Sequence, residues 1–117
     1  MCSSDLAALA PLRERAVLIL GSGGATHNLR ELFRPTPGQD ESYVKDFTKW
    51  LQGVVKRNDR KSLEDYRSLA PSAARAHPTE EHFLPLLVAA GAAGGPGQRI
   101  HTGMTGTSLS MDAYQFF

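Results

Sequence analysis

AVLILGSGGATHNLR, residues Ala16 to Arg30, passes from an aliphatic run into a glycine-rich turn and then onto a histidine. Five consecutive apolar residues closed by glycine match a strand buried on both faces, the pattern of an α/β sheet. Such a strand needs neighbours on either edge. The glycines invite comparison with a phosphate cradle, where backbone N–H groups approach an anion between a strand and a helix. The fit is poor: GxGxxG would require a glycine at Thr26, and no Gly-Lys-Ser/Thr follows for a P-loop. On this segment alone the plainer reading is a tight turn whose glycines supply positive φ, with His27 an ordinary residue.

The rest of the chain bounds the possibilities. Its 117 residues suffice for one small domain, and 13 Lys+Arg against 12 Asp+Glu leave a net charge of +1. Basic residues are scattered, and the densest charged run, Arg57-Asn58-Asp59-Arg60-Lys61, has an acid at its centre, which argues against nucleic acid as a partner. Cys2 is the single cysteine, so neither an internal disulfide nor a cysteine-based zinc site can form, in keeping with a reducing compartment. The longest apolar runs, Ala16–Leu20 and Leu86–Ala90, fall far short of the ~20 residues of a membrane span. With Asp5 and the Pro11–Arg15 stretch interrupting the start, no signal peptide is expected, and the expectation is a soluble cytoplasmic protein without membrane partners.

Beyond a Pro35-Thr36-Pro37-Gly38 loop, apolar residues recur at Tyr43, Val44, Phe47, Trp50, Leu51, Val54 and Val55, a helical spacing with Asp40 or Ser42 as cap. Phe47 and Trp50 are expected to face the core. Leu63, Tyr66 and Leu69 form a shorter helical stripe ended by Pro71. A third helix is expected to open at Thr79-Glu80-Glu81, with Thr79 as N-cap and the acids favoured by the helix dipole, and to stop at Gly91. Gly94 to Gly97 reads as loop, and Ser108 to Phe117 as a last strand with Leu109, Met111 and Ala113 on one face and Tyr114 and Phe116 on the other. One strong strand near the start and weaker ones near the end do not close a sheet over three helices. The inventory therefore predicts an incomplete central sheet, and residues 1–10 are expected to be disordered or an artefactual end.

Ala76-His77-Pro78-Thr79-Glu80-Glu81-His82 gathers two histidines and two carboxylates at a helix start. The spacing is not HExxH, in which two histidines one turn apart share a face, and Pro78 sets His77 outside the helix. His82, in the expected first turn beside Phe83, is suited either to ligating a metal at the edge of a core or to packing and capping. Glu80 and Glu81 read as exposed acids, and His101 beside Gly103 gives no usable signal.

In order, GSGGATHNLRE, HPTEEHFLPLLVAAGAAG and TSLSMDAYQF resemble the C-terminal half of the class III extradiol aromatic-ring-opening dioxygenases, the LigB-like superfamily, with the single-chain DOPA-type group as closest branch. The resemblance runs from about Leu12 to Phe116. It implies that His27, the histidine of G-S-G-x-x-x-H-N-L, is the acid/base, that His82, the histidine of P-T-x-E-H-[FY]-L-P-L, ligates the active-site metal, and that Asn28 orients His27 or the substrate. No role passes to His77. The family's other two metal ligands are histidines in stretches resembling His-Gly-Ser-Pro and Ser-Ala-His-Trp, and neither stretch occurs here.

The resemblance thus implies an α/β fold, the C-terminal part of a central-sheet catalytic domain covering residues 1–117. It also implies one Fe(II) or Zn(II) per complete site, a small aromatic diol and O₂ as partners, and an extradiol dioxygenase that is inactive as this chain alone. Two alternatives stay open: a non-enzymatic interaction module of the same superfamily, and a nucleotide-binding α/β module.

Overall fold

The computed structural model describes residues 3–33 and 41–117. Cys2, the Pro35–Gly38 loop and the Asp40 cap lie outside the described residues. Helices α1 (Ser3–Ala7), α2 (Leu29–Leu32), α3 (Ser42–Lys56), α4 (Arg60–Glu64), α5 (Tyr66–Leu69), α6 (Ala73–Ala76) and α7 (Leu84–Ala93) precede strands β1 (Gly97–His101), β2 (Met104–Thr105), β3 (Leu109–Ser110) and β4 (Ala113–Phe116). The strands form two small antiparallel sheets, β1 with β4 and β2 with β3, so the fold is α/β with an incomplete sheet. Among the described residues no helix is long and apolar enough to cross a membrane.

Helix α3 organises the core. Its apolar positions recur every three or four residues, so Tyr43, Val44, Phe47, Leu51, Val54 and Val55 share one buried face. They pack with Leu63 and Tyr66 from the α4 and α5 turns, with Ala73 and Ala76 of α6, and with Phe83 before α7. Phe47 is fully buried, whereas Trp50 is only half buried at the edge of this cluster. Leu69, the third member of the short stripe, is exposed.

Several expectations are corrected. Residues 16–20 form no strand: among the described residues none pairs with them, and Leu18 and Leu20 are each 84% exposed. A doubly buried strand is stable only between neighbours, and here the aliphatic run lacks them. The third helix starts at Leu84 rather than Thr79, because the Thr79 hydroxyl bonds the Glu81 carboxylate instead of capping a helix, and Pro85 sits in the first turn where its missing N–H costs nothing. It runs through Gly91 and ends at Gly94, whose φ of 71° supplies the left-handed C-terminal turn. The last strand is broken at Met111 and Asp112 into β3 and β4, and the expected loop after Pro96 contains β1, formed by pairing with β4. Within residues 1–10, helix α1 lies against α7, with the Leu6 side chain beside Gly91.

Candidate active site

The segment that follows the aliphatic run lies along the turn that precedes α7. The Gly24 N–H donates to the His82 carbonyl at 3.0 Å, and a Cβ at Gly23 or Gly21 would strike the carbonyl oxygens of His82 and Pro85. The glycines therefore exist for close backbone approach, not for positive φ, which none of Gly21, Gly23 and Gly24 adopts. Two remote segments are thereby held in contact, and the histidines at their ends meet.

The imidazoles of His27 and His82 stack with centroids 3.5 Å apart and planes 16° from parallel. Both are partly buried. Burial, reinforced by the neighbouring His82, lowers the pKa of His27 below its ordinary value, so the ring is neutral near pH 7 and able to accept a proton. His82 also forms part of the wall of an open cleft of ≈ 820 Å³ between residues 17–25, α7 and β4, with Ile19, Leu86, Ala89, Tyr114 and Phe116 among its lining.

Asn28 caps α2: its side-chain oxygen accepts from the Glu31 N–H at 3.4 Å, and its Nδ2 donates to the Arg75 carbonyl at 2.8 Å. The amide thus anchors the chain just after His27. Glu80 and Glu81 are exposed, as expected of acids before a helix. His101 ends β1 and is exposed.

Sequence reasoning left out the residues that lock this segment. The Thr26 hydroxyl donates to the Ser108 carbonyl at 2.8 Å and accepts from the Ser110 N–H at 2.7 Å, while the Ser108 hydroxyl donates to the Asn28 carbonyl at 2.8 Å. All of these groups are buried. Two of these three bonds use the backbone of residues 108 and 110, which no side-chain pattern in the sequence announces. His77, which carried no role, is completely buried among Phe47, Tyr66 and Phe83.

Among the described residues no three His, Cys, Asp or Glu side chains converge as metal ligands. A mononuclear centre with open positions needs about three protein ligands. His82 fits such a centre as one donor, but the described residues do not complete it.

A family model for the catalytic LigB subunit of aromatic ring-opening dioxygenase matches residues 7–116. A 4,5-DOPA dioxygenase extradiol of Beta vulgaris is 37% identical over 111 residues, covering 93% of this chain and 41% of that protein. Its counterpart in Portulaca grandiflora is 38% identical over 91 residues, 74% of this chain and 32% of that protein. The crystal structure of an uncharacterized protein from Escherichia coli K12 superposes with a TM-score of 0.79 at 25% identity, covering 98% of this chain and 49% of that one. The chain thus spans less than half the length of these relatives. With nearly every residue inside the family match, it belongs to the family of catalytic LigB subunits of aromatic ring-opening dioxygenases.

Proposed function

We propose that this chain supplies His27 and His82 to an extradiol ring-cleaving site that acts on a small catecholic diol with O₂. The stacking of His27 on His82 carries the reading, because it brings together the two histidines of separate motifs that the family resemblance assigns to one site. In the overall reaction the ring C–C bond beside the diol breaks, both atoms of O₂ enter the product, and a muconic semialdehyde-type acid results. The first relatives are named for DOPA, so a DOPA-like catechol is the substrate class to try first.

His82 would be one ligand of a single Fe(II) or Zn(II) ion, whose remaining ligands would have to come from outside the described residues. When bound, that ion supplies the alignment of diol and O₂. His27, whose pKa burial and the neighbouring His82 lower so that the ring is neutral, takes a phenolic proton from the diol and later returns one to an oxygen of the opening ring, a two-way transfer that an imidazole can perform. Asn28 contributes by fixing the backbone beside His27 through its bonds to Arg75 and Glu31.

The test is oxygen uptake by the full-length gene product with a catechol, together with elemental analysis. His27→Ala is expected to abolish turnover and keep the metal, whereas His82→Ala is expected to lose the metal. Loss of metal in the first variant or full retention in the second would refute the assignments. Absence of oxygen uptake by an intact, metal-loaded protein across catechols would favour the non-enzymatic member of the superfamily.

A further inference from the structure

His77 is the one completely buried histidine of the four, and the proposed reaction gives it no task. We propose that it is a positioning residue for the His27–His82 pair, its Nε2–H pinning the Ala25 carbonyl and its ring braced on Phe83. The inference takes from the proposed function only that this pair is the working site.

Three observations carry it. Nε2 of His77 lies 2.8 Å from the Ala25 carbonyl in a buried contact. A carbonyl only accepts, so the proton is on Nε2 and Nδ1 presents a lone pair, which has no hydrogen-bond partner. A buried orphan nitrogen is costly, and Phe or Leu would fill the cage of Phe47, Tyr66 and Phe83 without one. Packing alone therefore does not account for a histidine here; the bond to Ala25 does.

That bond is also one rung of a clamp. The His27 N–H donates to the Ala76 carbonyl at 2.8 Å, and Asn28 Nδ2 donates to the Arg75 carbonyl at 2.8 Å. Residues 75–77 thus receive residues 25–28 in reverse order, with His77 at the end from which the chain enters His27. The base of the clamp is itself fixed, since the His77 N–H donates to Ala73 at 2.8 Å and Arg67 donates to the His77 carbonyl at 2.9 Å.

The ring supplies the second half of the coupling. Its centroid lies 5.1 Å from that of Phe83, the residue next to His82. One imidazole therefore touches the backbone two residues before His27 and the side chain one residue after His82. The Gly24 N–H to His82 carbonyl bond ties the arms through backbone alone, and His77 adds a side-chain tie, so removing the Ala25 bond loosens the placement of one histidine relative to the other.

The experiment uses NMR on this chain and does not read ring cleavage, so it stands or falls independently of the proposed reaction. In His77→Phe, which keeps aromatic packing, the cross-ring NOE between His27 and His82 is expected to disappear and the His27 amide to exchange at least about tenfold faster. In His77→Gln, whose Nε2 amide can reach the Ala25 carbonyl, both signals are expected to return towards wild type. Retention of the NOE and of amide protection in His77→Phe would overturn the proposal, as would equal loss in both variants. Should His77→Phe fail to fold, the imidazole ¹H–¹⁵N spectrum of the unsubstituted chain decides: a slowly exchanging proton on Nε2 of His77 supports the role, and a proton on Nδ1 overturns it.

Discussion

The rings of His27 and His82 overlap face to face at 3.5 Å, although one leaves a glycine segment and the other a proline-bounded turn. Two imidazoles this close cannot both carry charge without repulsion in a partly desolvated setting. Burial depresses His27 first and His82 adds to it. NMR titration of this chain should therefore place the His27 midpoint below the ordinary 6.5. His82→Ala should raise that midpoint without restoring it fully, since burial remains. An unchanged or lower midpoint in the variant would show that the rings do not face each other in solution.

At Gly23 the space of a Cβ is already taken by the His82 carbonyl oxygen. Gly23→Ala must push the glycine segment away from the turn and so separate the stacked rings. We expect a loss of stability on the order of 1–3 kcal/mol, the range for overpacking a close contact, together with loss of the cross-ring NOE. Gly103→Ala is the comparison, because a Cβ there meets only His101 Nε2 at 3.4 Å. Its melting temperature should stay near that of the parent.

Leu18 and Phe47 occupy opposite ends of the burial scale, 84% and 0% exposed, although both belong to strongly apolar stretches. Phe47→Ala is expected to cost about 3–5 kcal/mol in chemical denaturation, whereas Leu18→Ser should stay within about 0.5 kcal/mol. Equal costs would mean that residues 16–20 are packed in solution.

That contrast also marks what sequence could reveal. Helix α3 was legible because its own 3.6-residue period selects the buried face, a local property that tertiary packing only had to accept. The aliphatic run was misread because burial of a strand belongs to its neighbours, and a two-face apolar pattern cannot tell whether they are present. Strand β1 was invisible for the converse reason: Gly97-Gln98-Arg99-Ile100-His101 has no apolar alternation and is a strand only through β4. His27 and His82 were found through motifs. His77 is not legible in the sequence because a histidine between Ala76 and Pro78 looks the same exposed or buried, and its role depends on Phe47 and on the Ala25 carbonyl, both far away in sequence.

His77 also sets the chain's response to acid. Desolvation is the largest cause that lowers its pKa from 6.5, to about 4, with the nearby His27, Arg67 and His82 adding to it and the bond to Ala25 opposing it. The unfolded chain therefore binds a proton at His77 as pH falls through 6.5, while the folded chain refuses it until about 4. The stabilising contribution is fully present above the unfolded value and is lost on acidification across that window. Each tenfold change in proton affinity is worth about 1.4 kcal/mol, so the full loss amounts to roughly 3 kcal/mol. Urea denaturation at pH 7 and at pH 4.5 should show most of this loss in the parent chain. In His77→Phe the same interval should be flatter, with the residual slope coming from His27, whose depressed pKa has the same sign. An equal slope in parent and variant would mean that His77 is protonated in the folded chain, and would place its ring in water rather than among Phe47, Tyr66 and Phe83.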